Sequence, residues 1–155
     1  MNKSRRRFLK VLFLVSGAMF TGFAVISRQA IAFMQRNASA FSAKTETDAV
    51  TKLFPDKQLV PSDAVQIDVH DLVENGAVVP IRVNTDLAAV ESISILVERN
   101  PNPLIAKFNF SPECSGFVAT RIKVAQPSDI IAIVESGGKL YTQRKYVEVV
   151  EGGCG

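Results

Sequence analysis

The sequence predicts an all-β domain built as an antiparallel β-sandwich, and three observations carry that prediction. Apolar residues recur with a period of two in short runs, turn residues separate the runs, and no long helical stretch intervenes. The alternation puts one face of each strand in a core and the other in solvent. Val65, Ile67 and Val69 make the first run, and Val79, Ile81 and Val83 the second, alternating with Pro80, Arg82 and Asn84. Because Pro80 cannot donate to a ladder, its strand is expected to lie at an edge or to begin there. Ile93, Ile95 and Val97 follow, then a short run at Phe108 and Phe110, then Val118, Thr120, Ile122 and Val124. Residues 130–134 are continuously apolar, and residues 141–150 form the last strand. Glu74-Asn75-Gly76, Asn100-Pro101-Asn102-Pro103 and Ser136-Gly137-Gly138 supply turns between them. About seven short strands in this spacing fit a sandwich. Ahead of them, residues 48–54 read as a short helix, with Thr47 or Asp48 as its N-cap and Pro55 as its stop.

The charge pattern divides the chain. The formal net charge is +3, yet residues 1–32 hold Lys3, Arg5, Arg6, Arg7, Lys10 and Arg28 and no acidic residue. Removing those six from eighteen basic residues leaves twelve against fifteen acidic ones, so the remainder is mildly acidic. A phosphate-tracking surface needs clustered Lys and Arg, so no nucleic-acid partner is expected. With one histidine, His70, and two cysteines, Cys114 and Cys154, a four-ligand His/Cys metal cage is not expected, nor any cofactor. His70 follows Val69 at a strand end and reads as an ordinary solvent-facing histidine.

Ser4-Arg5-Arg6-Arg7-Phe8-Leu9-Lys10 precedes an apolar run over residues 11–26. A basic flank before a short apolar stretch is the pattern of an export signal, and this stretch falls short of the ~20 residues that span a bilayer comfortably. The motif resembles the twin-arginine consensus, with Arg5 and Arg6 as its paired arginines. That resemblance implies export of an already folded protein, with membrane contact only during export. Ala30-Ile31-Ala32 offers a cleavage site after Ala32, and Ala38-Ser39-Ala40 a second after Ala40.

The chemistry sits at the other end, in Glu151-Gly152-Gly153-Cys154-Gly155. Gly152, Gly153 and Gly155 give the backbone around Cys154 the widest conformational freedom. Four residues past Val150 reach roughly 14 Å when extended, so Cys154 reads as a thiol on a thin tether that enters a narrow cleft. Glu151 and a terminal carboxylate would disfavour the thiolate, and no base stands beside it in sequence. The thiol therefore reads as a handle on which other enzymes work, and the chain as a non-enzyme. Two rival readings stand at this level. One is an exported interaction module with an inert tail. The other pairs Cys114 with Cys154, as a structural disulfide or as a thiol-disulfide redox couple.

Glu74-Asn75-Gly76-Ala77-Val78-Val79-Pro80, Asn100-Pro101-Asn102-Pro103-Leu104, Thr120-Arg121-Ile122-Lys123-Val124-Ala125-Gln126 and the terminal Gly152-Gly153-Cys154-Gly155 resemble the SoxY family of thiosulfate-oxidation carriers. The resemblance covers about residues 65–155. It implies an immunoglobulin-like sandwich that forms a heterodimer with a small β-protein, SoxZ, in the periplasm. It also implies that Cys154 carries the sulfur substrate covalently. In the family, the haem enzyme SoxAX joins thiosulfate to the cysteine, SoxB releases the terminal sulfone as sulfate, and other Sox enzymes oxidise what remains. Two departures stand out: the family tail commonly has one more glycine, and Cys114 is not part of the family pattern. The expected organisation is a signal peptide over 1–32, a linker with a short helix over 33–64, the carrier sandwich over 65–150 and a flexible arm over 151–155.

Overall fold

The computed structural model describes residues 37–150. Two helices, α1 (Ala38–Phe41) and α2 (Glu46–Leu53), precede nine strands. These are β1 (Leu59–Pro61), β2 (Val65–Asp68), β3 (Leu72–Val73), β4 (Val79–Thr85), β5 (Val90–Val97), β6 (Leu104–Asn109), β7 (Phe117–Ile122), β8 (Ser128–Ser136) and β9 (Lys139–Val149). The larger sheet has the order β1-β9-β8-β5-β6, with β3 also paired to β9, and the smaller has the order β2-β4-β7. The seven strands expected from the sequence are all present, and the two sheets make the sandwich. Two short strands are additional: β1 and β3 both pair with β9 in parallel, so the larger sheet is mixed. Neither is long enough to show a period of two.

Alternation explains where the core lies. Ile130, Ala132 and Val134 of β8 join Ile93, Ile95 and Val97 of β5 in a core shared with Val79, Ile81, Val83, Val118 and Ile122 of the smaller sheet. The intervening Ile131 and Ile133 point the other way, into a second core with Leu96, Leu104 and Leu140 beneath Ala40, Ala49 and Phe54. A strand covered on both faces needs apolar residues at every position, which is why residues 130–134 read as one continuous run. Each fully buried Ile contributes about 1.5–3 kcal/mol.

The second core corrects the reading of residues 33–64 as a linker: from Asn37 onward this segment packs on the sheet. Helix α2 begins at Glu46, ahead of the expected start. Its N-cap is Thr45, whose extended backbone lets Oγ1 accept from the Asp48 amide at 3.2 Å. Asp48 sits one turn inside and pairs with Lys52 at 2.7 Å. Pro80 also departs in part from expectation. Its strand β4 begins at Val79, as expected, but lies centrally between β2 and β7. The last β2 pair is Asp68 with Arg82, so Pro80 lies beyond the end of that ladder and no donor is needed there.

A half-buried carboxylate ties the helical segment to the sheet. Glu135 accepts from Lys57 Nζ at 2.6 Å and from Ser92 Oγ at 2.9 Å, with Lys107 Nζ at 3.7 Å. Burial alone would raise its pKa, but the hydrogen bonds from Lys57 and Ser92 and the charges of Lys107 and Lys57 outweigh it and hold the carboxyl below its ordinary value. A depressed carboxylate pKa stabilises the fold above the unfolded-state value of about 4.3. That contribution is lost as pH falls through the lower folded-state value. Denaturation midpoints are therefore expected to fall between about pH 5 and pH 3, and Glu135→Gln is expected to flatten that dependence. An unchanged slope in Glu135→Gln would show that the carboxylate is not the group responsible.

Candidate functional site: the root of the C-terminal arm

Residues 151–155, expected to form the arm, follow the end of β9, and three turn segments converge there. Val73 of β3 pairs with Val149, and the Val150 amide donates to the Val73 carbonyl at 2.9 Å. Val150 is thus held by a backbone hydrogen bond. Gly76 lies directly against Val149: a Cβ there would come within 2.9 Å of Val149 Cγ1 and 2.3 Å of the Val124 carbonyl oxygen. The Val124 amide donates to the Gly76 carbonyl at 2.8 Å, which joins the 74–78 turn to the segment after β7. Asn75 shapes that turn by accepting from the Ala77 amide at 2.9 Å.

Asn100 braces the same end from the third segment. It is buried, its Nδ2 donates to the Lys123 carbonyl at 2.7 Å, and its Oδ1 accepts from the Ala125 amide at 2.9 Å. Gln126 Nε2 donates to the Arg99 carbonyl at 3.0 Å, and Asn102 Nδ2 reaches the Ala43 carbonyl at 3.2 Å. The three internal motifs singled out in the sequence, around Asn75-Gly76, Asn100-Pro101 and Lys123-Val124, therefore meet as one brace under the arm. Their chemistry is turn chemistry, and its product is a rigid mount.

A shallow groove of about 230 Å³ opens beside the mount, lined by His70, Leu72, Val73, Glu74, Asn75, Val78, Val79 and Pro80. His70 is exposed there, as expected of a solvent-facing histidine. Val73 and Asn100 are not recognisable as anchors from the sequence, because their partners lie 76 or more residues away in the chain for Val73 and 23 to 25 residues away for Asn100. A two-residue strand and a lone asparagine leave no periodic signal.

Cys154, with Gly152, Gly153 and Gly155, lies outside the described residues, as do Arg5 and Arg6. Cys114 is described, free and exposed, in the loop between β6 and β7. Its Sγ is 3.2 Å from Ser111 Oγ, and its amide donates to the Ser111 carbonyl at 3.0 Å. Hydrogen bonding to the Ser111 side chain, then to its backbone, pulls the thiol below its ordinary pKa. This loop sits at the far end of the sandwich: Gly116 packs against Thr85 and Val90, and Val90 is in register with Ser136, opposite Lys139 where β9 begins. The arm leaves where β9 ends, so roughly 30 Å of strand separates the two ends. Cys154 reaches roughly 14 Å from Val150, and a disulfide needs Cα atoms within about 7 Å. An intramolecular Cys114–Cys154 bond is out of reach of this fold. Among the described residues no group of three His, Cys, Asp or Glu side chains could hold a metal ion.

Comparison with known proteins agrees with this architecture. The family model described as "Sulfur oxidation protein SoxY" matches residues 50–154. The solved structure of the sulfur carrier protein SoxY from Chlorobium limicola f thiosulfatophilum is 33% identical, with a TM-score of 0.62, covering 67% of this chain and 94% of that one. A superoxide reductase (neelaredoxin) from Ignicoccus hospitalis, 16% identical with a TM-score of 0.54 over 59% of this chain and 94% of that one, shares the fold alone. No curated protein matches the chain. With two thirds of its length matched by the family model, and with the sandwich of a solved sulfur carrier, the chain belongs to the SoxY family of sulfur carriers in sulfur oxidation.

Proposed function

We propose that the chain is a periplasmic carrier of thiosulfate-derived sulfur, held covalently on Cys154 while visiting enzymes process it. One observation carries this reading: the family match runs through residue 154, four positions past Val150, whose amide is bonded to the Val73 carbonyl. A cysteine at that place has a fixed mount behind it and glycines on either side.

In the loading step the thiol of Cys154 joins the outer sulfur of thiosulfate. The S–H bond breaks, an S–S bond forms, one proton goes to water, and two electrons pass to a haem enzyme of the SoxAX type. Hydrolysis by a SoxB-type enzyme then breaks the S–SO₃ bond, releasing sulfate and a proton and leaving a persulfide on Cys154. Other Sox enzymes act on that sulfane sulfur. The carrier supplies attachment and reach, and its partners supply the chemistry.

A SoxZ-like subunit completes the carrier as a heterodimer, co-exported through the twin-arginine signal at Arg5 and Arg6. Fractionating cells that express the Arg5→Lys, Arg6→Lys chain checks this: both subunits should remain in the cytoplasm, and a partner that reached the periplasm alone would refute co-export. Cleavage after Ala32 is favoured over cleavage after Ala40. The later cut would remove Asn37, whose side chain caps α1, and would take the fully buried Ala40 out of the second core.

Truncation after Val150 tests the carrier reading against an interaction module with an inert tail. The truncated chain should keep its far-ultraviolet spectrum and its partner, yet support no thiosulfate-dependent electron transfer to the haem enzyme. Full electron transfer without the arm would refute the carrier.

A further inference from the structure

We propose that the surface around the arm's root is a docking collar for the enzymes that act on the carried sulfur, an inference that rests on the carrier reading. Six large apolar side chains are exposed among the described residues, and four of them lie at this end: Leu72 at 58%, Tyr146 at 54%, Val78 at 50% and Val150 at 46%. Single exposed apolar residues are ordinary, but a cluster at one place marks a contact surface.

The strand pattern puts them together. Tyr146, Glu148 and Val150 alternate along the end of β9 and so share one face. Leu72 is in register with Glu148 on that face, and Val78 lines the same groove as Leu72. The apolar side chains thus surround the point at which the arm departs, with Glu74 and Glu148 set among them.

The length of the arm decides what covers them. Cys154 lies four residues past Val150, so a reaction centre must come within roughly 14 Å of the mount before the sulfur reaches it. Any depth of the enzyme's cleft is subtracted from that reach. The mouth of the cleft therefore presses on the side chains next to Val150 at each visit. The partner that fits is an enzyme whose cleft mouth is apolar with a Lys/Arg fringe facing Glu74 and Glu148. Four side chains make a small contact, which suits a carrier that must dissociate after each step.

The test uses the mature chain with its partner subunit, in a Cys114→Ser background because Cys114 is itself an exposed thiol. Tetrathionate loads Cys154: the thiol gives its proton to water, and the resulting thiolate breaks the central S–S bond, keeps an S–SO₃⁻ group and releases thiosulfate. Sulfate release by the SoxB-type hydrolase is then followed against carrier concentration. Leu72→Asp and Tyr146→Asp should each raise the carrier KM by about tenfold, with kcat and the rate of loading by tetrathionate unchanged. Phe117→Asp, at the opposite end of the smaller sheet, should leave KM within about twofold. Unchanged KM in both collar variants, or an equal rise in Phe117→Asp, overturns the collar. So does loss of the SoxZ-like subunit, or of a self-association, on size exclusion of the collar variants, because the patch is then that partner's seat. Should Leu72→Asp fail to fold, Tyr146→Asp decides alone. A wild-type carrier that loads but releases no sulfate refutes the carrier reading itself, an outcome distinct from failure of the collar.

Discussion

Gly76→Ala is expected to destabilise the domain by about 2–3 kcal/mol, a large share of a small domain's stability. The methyl carbon would sit 2.3 Å from the Val124 carbonyl oxygen and 2.9 Å from Val149 Cγ1. One neighbour is backbone and cannot rotate away. To make room, the 74–78 turn must leave Val124, stretching the 2.8 Å hydrogen bond from the Val124 amide to the Gly76 carbonyl. Val149 must shift too, and with it the pairing to Val73 that holds the arm's root. Urea denaturation measures the loss, and hydrogen exchange at the Val124 and Val150 amides shows where it falls. A midpoint shift equivalent to less than about 0.5 kcal/mol would mean that the turn relaxes freely and is no brace.

Cys154→Ser is expected to abolish sulfur loading on the arm while leaving the denaturation midpoint where it was. The two ends of the sandwich explain the second half of that result. Cys114 lies beyond Gly116, near the start of β9, and the arm departs beyond its end. A structural disulfide across that distance is beyond the arm's reach, so no cross-link is lost. Were one present, its removal would cost about 2–5 kcal/mol, and Cys114→Ser would reproduce the loss. Wild type, Cys154→Ser and Cys114→Ser compared without reductant give the answer. Three coincident midpoints, with arm loading lost only in Cys154→Ser, fit the carrier. A matched drop in both variants would return the cysteines to a structural role.

The sandwich was legible because five of its strands carry the alternation that a half-buried sheet requires, and because residues 130–134 break it in the way a doubly covered strand must. β1 and β3 were not legible. Leu59–Pro61 and Leu72–Val73 are too short for a period, and each gains its stability from β9, about eighty residues away along the chain. The helical segment was undervalued for a related reason. Small residues such as Ala40, Ala43 and Ala49 look indifferent in sequence, yet all three are buried against the sheet. Of the two expectations for Pro80, the strand start holds and the edge position does not, because the sequence does not show where β2 ends. The expectation of a tethered thiol at Gly152, Gly153 and Cys154 comes from the sequence alone, since glycine spacing and a nucleophile are local properties. The mount is a matter of long-range contacts: Asn100 with Lys123 and Ala125, Gly76 with Val124, Val73 with Val150. No local pattern encodes those.

Mass spectrometry of the native protein reads out whether Cys154 carries the cargo. The chain is purified from cells oxidising thiosulfate, without reductant, and cleaved with trypsin. Cleavage after Lys145 isolates a peptide that begins at Tyr146 and contains Cys154, while Cys114 falls in a different peptide. S–SO₃⁻ and persulfide adducts are expected on the Cys154 peptide, absent from cells starved of reduced sulfur. An unmodified Cys154 peptide during active thiosulfate oxidation, or adducts confined to the Cys114 peptide, would contradict that expectation.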